Sequence, residues 1–371
     1  MSENVKTKKR NFFVTMFIPN RSDNIGAIIR KIVVLAAFTV AIVCAVLVLT
    51  DFTTRKADEN MNEDIREKLE LNASGSFSIS PQKVDEVKQE QPEILDKFID
   101  LYAQNSDLIG WIKIGHYIDY PVLLNKEDLD FYLYHNFNKE DSVSGSIFID
   151  NHIEPFTDAN NLVVYGHNMA SGEYFSTLNY YNPYSSMKAG VPDYYKKYPT
   201  FSFDTLYEEG TYKIFAAMYI NVDEQNGYPY PYFQKRQFKT EYEFMDFMGN
   251  IMDRSVFYTD VDVEYGDQIM TLSTCFWLPF SRDQLDARFV IFARKVRDGE
   301  SPEVDTSKFV LNSDPLMFDL YYRTFGGSWG GRNWDLSLVK DFDKYTDRID
   351  SLDEKEPSSS TASNDVAPSI N

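Results

Sequence analysis

The stretch Gln268-Ile269-Met270-Thr271-Leu272-Ser273-Thr274-Cys275-Phe276 decides the fold. It carries no charge, is rich in apolar and β-branched residues, and reads as a strand that closes on a thiol. A loop over residues 277–287 separates it from a second apolar run, Arg288-Phe289-Val290-Ile291-Phe292-Ala293-Arg294-Lys295-Val296. Working outward, short runs bounded by turn residues predict further strands at 109–114, 119–124, 146–150, 162–167, 200–204 and 211–221. One helix interrupts them before the cysteine strand. Glu241–Arg254 sets Phe244, Phe247, Met248 and Ile251 on one face, with Thr240 as N-cap and Glu243 three residues on. A second helix is expected from Pro92 to about Asn105, on the spacing of Ile94, Leu95, Phe98, Ile99 and Tyr102. Eight strands with helices in the connections predict a mostly β fold, a small closed or nearly closed barrel.

Composition limits the partners. Apolar residues make up 43% and aromatics 15% of the 371 residues, enough for a sizeable core. The net charge of −20 argues against nucleic acid, whose phosphates want a basic face. The charge is uneven. Residues 1–31 hold seven basic side chains (Lys6, Lys8, Lys9, Arg10, Arg21, Arg30, Lys31) against Glu3 and Asp23. The uncharged run from Ile32 to Thr50 follows at once. Its 19 residues are about the length a helix needs to cross a bilayer. The basic side is expected to stay in the cytoplasm and the rest of the chain to lie outside. A cleaved signal peptide is the rival reading. The run is long for one, and Asp51-Phe52-Thr53-Thr54-Arg55 offers no small-x-small cleavage site.

The chain is therefore expected to divide as follows. A basic cytoplasmic tail covers 1–31, an anchor 32–50 and a stalk 51–91, the last helical at about 58–71. A barrel spans 92–296 and an aromatic, glycine-rich extension 297–351. A disordered tail rich in Ser, Asp, Glu and Pro closes the chain at 352–371.

Of the two cysteines, Cys44 lies in the apolar run, so Cys275 is the only thiol beyond it. Extracytoplasmic cysteines usually pair. No second cysteine lies beyond the apolar run to form a disulfide with Cys275, and two readings stand: an inert core thiol, or a nucleophile. His167 closes the strand Asn161-Leu162-Val163-Val164-Tyr165-Gly166-His167, where Gly166 permits close backbone approach. The other histidines, His116, His135 and His152, lie in polar, loop-like contexts and read as surface residues. A lone histidine is more often structural than catalytic, and only a nearby nucleophile promotes it. Arg288 opens its strand either as an outward charge or as a fixed donor for a developing anion. Zinc would need three or four ligands, and no CxxC, HxxxH or HExxH occurs.

Taken together, Leu-Ser-Thr-Cys, Tyr-Gly-His and Arg-Phe-Val, in that setting and beside an N-terminal anchor, resemble the catalytic signature of sortases. The resemblance covers roughly residues 92–296. It is similar to class B in Gly110-Trp111-Ile112, Asp119-Tyr120-Pro121-Val122, Tyr132-Leu133 and Gly145-Ser146-Ile147-Phe148. The chain departs at Asp128-Leu129, where class B members commonly have Asp-Asn, and at Phe276, where an acidic residue often follows the cysteine. Both places border the substrate groove in the family.

The resemblance implies an eight-stranded sortase barrel and a cysteine transpeptidase. Cys275 would be nucleophile, His167 general acid/base and Arg288 oxyanion stabiliser, with Leu133 and Ser273 in substrate contact. The implied substrates are the sorting-motif peptide of a surface protein, cleaved after Thr through a thioacyl intermediate, and a cell-wall precursor amine. No cofactor is implied. A pilin-polymerising sortase is the nearby alternative, and the absence of a second apolar run counts against it. A cysteine hydrolase and a non-catalytic membrane-anchored binding protein remain as readings from other classes.

Overall fold

The structure, a computed structural model, describes residues 16–21, 23–152, 159–183, 191–276 and 286–349. Most of the expected loop after Cys275 and the whole of the expected tail 352–371 lie outside the described residues. Residues up to Asn60 and those from Met61 on form two compact units. Helix α1 (Ile25–Ala73) contains the uncharged run and is long and apolar enough to cross a membrane.

In the larger unit, eight strands form a closed barrel in the order β1-β2-β3-β4-β8-β9-β6-β5. They are β1 (Leu108–Ile114), β2 (Ile118–Leu123), β3 (Ile147–Ile149), β4 (Asn161–Tyr165), β5 (Thr200–Thr205), β6 (Thr211–Asn221), β8 (Ile269–Phe276) and β9 (Ala287–Lys295). Each corresponds to an expected strand. A separate pair, β7 (Phe257–Tyr258) and β10 (Val310–Leu311), has only two residues on each side.

Side chains alternate along each strand, so the barrel has two apolar faces. Ile112, Val122, Val164, Ala217, Leu272 and Ile291 belong to the interior cluster. Their neighbours Trp111, Leu123, Val163, Met218, Val290 and Phe292 belong to the outer one. A bulge in β6 adds Phe215 between Ile214 and Ala216. Phe215 and Ala216 both join the outer cluster, and alternation resumes with Ala217 inside.

The helices beyond α1 are α2 (Pro81–Glu90), α3 (Ile99–Gln104), α4 (Val191–Lys197), α5 (Glu241–Arg254), α6 (Asp319–Phe325) and α7 (Thr346–Ile349). Most of them pack on the outer cluster, while Tyr194 and Tyr195 of α4 and Leu320 to Tyr322 of α6 pack against the interior one. In α5, Thr240 Oγ1 accepts the Glu243 N–H at 3.2 Å, and the Glu243 carboxylate accepts the Lys239 N–H at 2.7 Å. Its expected face, Phe244, Phe247, Met248 and Ile251, is buried in the outer cluster. The helix expected from Pro92 starts later. A short 3-10 turn, Asp96–Phe98, leads into α3.

Within the expected stalk, Ile65 is buried, and Asn72 accepts the Asp100 N–H at 3.1 Å. Val87 of α2 is also buried in the outer cluster. The segment from Met61 is thus packed on the barrel.

The C-terminal extension is packed there too. Met317 and Phe318 join the interior cluster, while Trp334, Val339, Phe342 and Ile349 join the outer one. Gly249 of α5 makes room for this. A Cβ there would stand 3.0 Å from the Phe342 ring and 3.1 Å from Ile349.

Candidate active site

Strand register brings the three expected reactive residues together. β4 and β8 run parallel with Tyr165 opposite Ser273. His167 and Cys275 each follow by two residues, so they stand level at the same end of neighbouring strands, which lie about 4.8 Å apart. Cys275 shares the outer cluster with Tyr165 and Val290. On the other side of β8, Cys275 is paired directly with Arg288 in the antiparallel ladder. Side chains at such a pair have Cβ atoms about 5 Å apart.

Local bonds hold the two strand ends in line. The Gly166 N–H donates to Ser273 O at 3.2 Å, and Thr274 Oγ1 donates to Gly166 O at 2.8 Å. Asn168 Nδ2 then donates to Cys275 O at 2.9 Å. Gly166 is needed for close approach: a Cβ there would lie 2.7 Å from the Phe175 ring.

All three candidate residues are nearly enclosed, with relative exposures of 6% for Cys275, 7% for His167 and 2% for Arg288. The small opening matters, because a thiol needs only its sulfur accessible to be attacked or to attack. His167 Nε2 lies 2.9 Å from Leu133 O. Burial pushes the His167 pKa below its usual value, and the Leu133 carbonyl opposes this only in part, so the imidazole is mainly neutral at pH 7. Arg288 donates through Nη1 to the Asp286 carboxylate and to Ala287 O. Burial pulls its pKa down, but Cys275, Asp286 and Tyr232 more than offset this, and it remains a cation.

The remaining expected residues fall nearby. Leu133 is fully buried in the outer cluster and reaches His167 through its backbone carbonyl. Ser273 is fully buried, two residues before Cys275 on the same face, and its Oγ is 2.7 Å from the Tyr232 hydroxyl.

Tyr232 was not anticipated. It comes from the connection between β6 and α5, residues 222–240. Burial is the main cause that raises its pKa to about 12, and the Arg288 charge opposes the rise. Behind it, Arg236 makes a two-point ion pair with Asp150, Nε to Oδ1 at 2.6 Å and Nη2 to Oδ2 at 2.9 Å. The only sequence signal for this wall is an aromatic run, Tyr228-Pro229-Tyr230-Pro231-Tyr232-Phe233, inside a loop. Among the described residues, no three His, Cys, Asp or Glu side chains form a metal-ligand group. The arrangement offers a thiol, an imidazole and a fixed cation to one bond, which suits acyl transfer.

Comparison with known proteins agrees. The family model described as the Sortase domain matches residues 122–296. The chain is 34% identical over 185 residues to Sortase B of Listeria monocytogenes, covering 49% of this chain and 68% of that protein. It is 30% identical over 190 residues to Sortase B of Staphylococcus aureus, covering 51% and 71% respectively. Among solved structures, the Staphylococcus aureus sortase B-substrate complex covers 66% of this chain and 99% of that one, at 24% identity and a TM-score of 0.51. That last likeness is one of fold.

Proposed function

Since the chain belongs to the sortase family and is a cysteine transpeptidase of the sortase B type, we propose a specific route for its transfer of surface proteins, with named residues in each role. Cys275 Sγ attacks the carbonyl carbon of a Thr in a C-terminal sorting motif. The thiol proton passes to the His167 imidazole, which burial keeps neutral and ready to accept it. Charge develops on the carbonyl oxygen, and the Arg288 guanidinium, across the ladder from the sulfur, stabilises it. When the C–N bond breaks, His167 returns the proton to the leaving amine and a thioester remains on Cys275. An amine of a cell-wall peptide then attacks the thioester and gives its proton to His167. The thiolate leaves, recovers the proton, and the surface protein is joined through a new amide bond. Leu133 and Ser273 are placed by this reading along the peptide, next to His167 and Cys275.

The carrying observation is the direct pairing of Cys275 with Arg288, with His167 level on the adjacent strand. The apolar part of α1 is read as an uncleaved anchor with its basic flank in the cytoplasm. Tethering would hold the enzyme where both substrates meet, and so raise their effective concentration. The boundaries proposed for the tail, anchor, stalk, barrel and extension follow the divisions read from the sequence.

The test is a product assay with the full chain in detergent, a Thr-containing sorting peptide and an excess of a short peptide amine. Amide-linked product is expected, and Cys275→Ala should abolish it while the protein stays folded. Free acid alone, despite saturating amine, would make the chain a hydrolase. Undiminished turnover by Cys275→Ala would remove the nucleophile assignment.

A further inference from the structure

The connection between β6 and α5 supplies a wall of the site that the barrel strands do not make. It carries Tyr232, whose hydroxyl meets Ser273. Its two ends are held by different parts of the chain. At the end nearer α5, the Arg236 guanidinium pairs with Asp150, and the Arg236 carbonyl accepts the N–H groups of Asn160 and Asn161 at 2.8 and 3.0 Å. These are barrel contacts.

At the end nearer β6, where Asn221 Nδ2 donates to Gly227 O at 3.2 Å and the Val222 N–H to Asp286 O at 3.0 Å, further contacts come from the C-terminal extension. Arg323 Nη2, on α6, donates to Gln225 O at 2.9 Å. Gly227 stands at φ +115°, where a Cβ would lie 2.7 Å from Asp319 N and 2.9 Å from the Asp319 carboxyl carbon. The start of α6 therefore seats directly on the loop backbone.

Helix α6 is itself fixed on both sides to α5. Before it, the Leu316 N–H donates to Asp253 O at 2.8 Å, and Met317 and Phe318 are buried. After it, Arg332 Nε and Nη2 and Trp334 Nε1 all donate to the Asp253 carboxylate, at 2.9, 2.8 and 2.7 Å. That carboxylate is wholly buried, so these donors supply the bonds it would otherwise lose with water.

We infer that the C-terminal extension braces the loop that walls the substrate side of the site, with Arg323 and Gly227 as positioning residues. They act through Tyr232 on peptide binding and leave the bond-making groups untouched. This rests on the transpeptidase reading above, because the wall matters to turnover only if a peptide lies against it.

The experiment uses the full chain with Arg323→Ala, Arg323→Lys and Gly227→Ala. It reads KM and kcat for the sorting peptide, the alkylation rate of Cys275 by iodoacetamide, and amide hydrogen exchange over residues 222–240. Arg323→Ala removes one charge-assisted bond, and Gly227→Ala pushes the loop off α6. Each is expected to raise KM about fivefold while kcat and alkylation stay within about twofold. Arg323→Lys should recover most of the loss, and exchange should quicken within the loop. Unchanged KM in both Ala variants would overturn the inference, as would kcat and alkylation falling by as large a factor as KM rises. If the wild-type chain turns over no sorting peptide, the transpeptidase reading fails. Loop exchange in Arg323→Ala then decides the brace alone: faster exchange supports it and unchanged exchange overturns it.

Discussion

Strand β9 carries a buried arginine at each end, and the two ends are built differently. Arg288 and Arg294 are both almost fully buried, and alternation sets both on the outer face. Arg294 is held by two carboxylates and a backbone carbonyl. Its Nε donates to Asp262 O at 2.6 Å and its Nη2 to Asp262 Oδ1 at 2.9 Å. Nη1 and Nη2 together grip both oxygens of Glu300, at 2.7 and 2.8 Å. Lys213 and the Arg297 N–H complete the shell around Glu300. At the other end, Arg288 leans on Asp286, whose side chain is about half exposed, and faces Cys275 across the ladder. The same residue type thus serves two ends. One closes the network where the extension begins, and the other holds positive charge beside a thiol.

The largest expected effect comes from the reactive end. Arg288→Gln is shorter, keeps two N–H donors and removes the charge. If the guanidinium stabilises the oxyanion, kcat should fall by about 10²–10³-fold. Steady-state kinetics with the sorting peptide would measure it, beside a thermal melt. A variant that melts normally and turns over normally would place Arg288 with Arg294 as a structural charge and erase the contrast.

Arg294→Met tests the other end. It keeps an apolar stem but takes one cation away from Asp262, which retains Arg297, and from Glu300, which retains Lys213. Removing one partner of a buried network typically costs several kcal/mol, and about 3 kcal/mol is expected here because both acids keep some contact with water. Chemical denaturation of the full chain in detergent would show it. Turnover by the folded variant should match the wild type. A large kinetic defect at full stability would mean that the two ends are coupled and not separate devices.

How far the sequence carries this picture differs by element. The β8 run was legible because it is long and uncharged, β9 because Phe289–Ala293 is an unbroken apolar core between its charged ends, and α5 because its cap and apolar face agree. Helix α2 was missed because only Val87 of its ten residues is buried, so its polar sequence shows no apolar stripe. Strands β7 and β10 have two residues each, too few to carry a period. The helix expected at Pro92 begins instead near Ile99. Leu95 is drawn away to bond Leu206 O at 2.7 Å, a tertiary contact that local spacing does not report.

Within the site, the thiol, the imidazole and the guanidinium were each readable at a strand end. Tyr232 was not. It reaches Ser273 across 41 positions of chain, and its meaning comes only from that closure. The bracing of its loop by Arg323 is further still from local pattern, because it joins positions 98 apart.

The smallest expected effect separates the two ends of β9 by pH. His167 has its folded pKa lowered by burial from the usual 6.5. Below pH 6.5 the unfolded chain therefore binds a proton that the folded chain resists, and stability falls as pH drops. Glu300 works in a lower window. The Arg294 hydrogen bonds are the main cause that holds its pKa far below the usual 4.5. Its contribution is intact above pH 4.5 and is lost as acid protonates it. Acid titration of stability should thus weaken the reactive end first and the ionic end later. His167→Gln should flatten the slope between about pH 6.5 and 4.5 relative to wild type, leaving the steeper loss below it. Arg294→Met should do the reverse. Each variant alters one end and leaves the rest of the chain unchanged, so the differences between curves isolate each end. If His167→Gln left the upper slope unchanged, the imidazole would not be held neutral in the folded chain, and the proton transfer proposed from Cys275 would lose its acceptor.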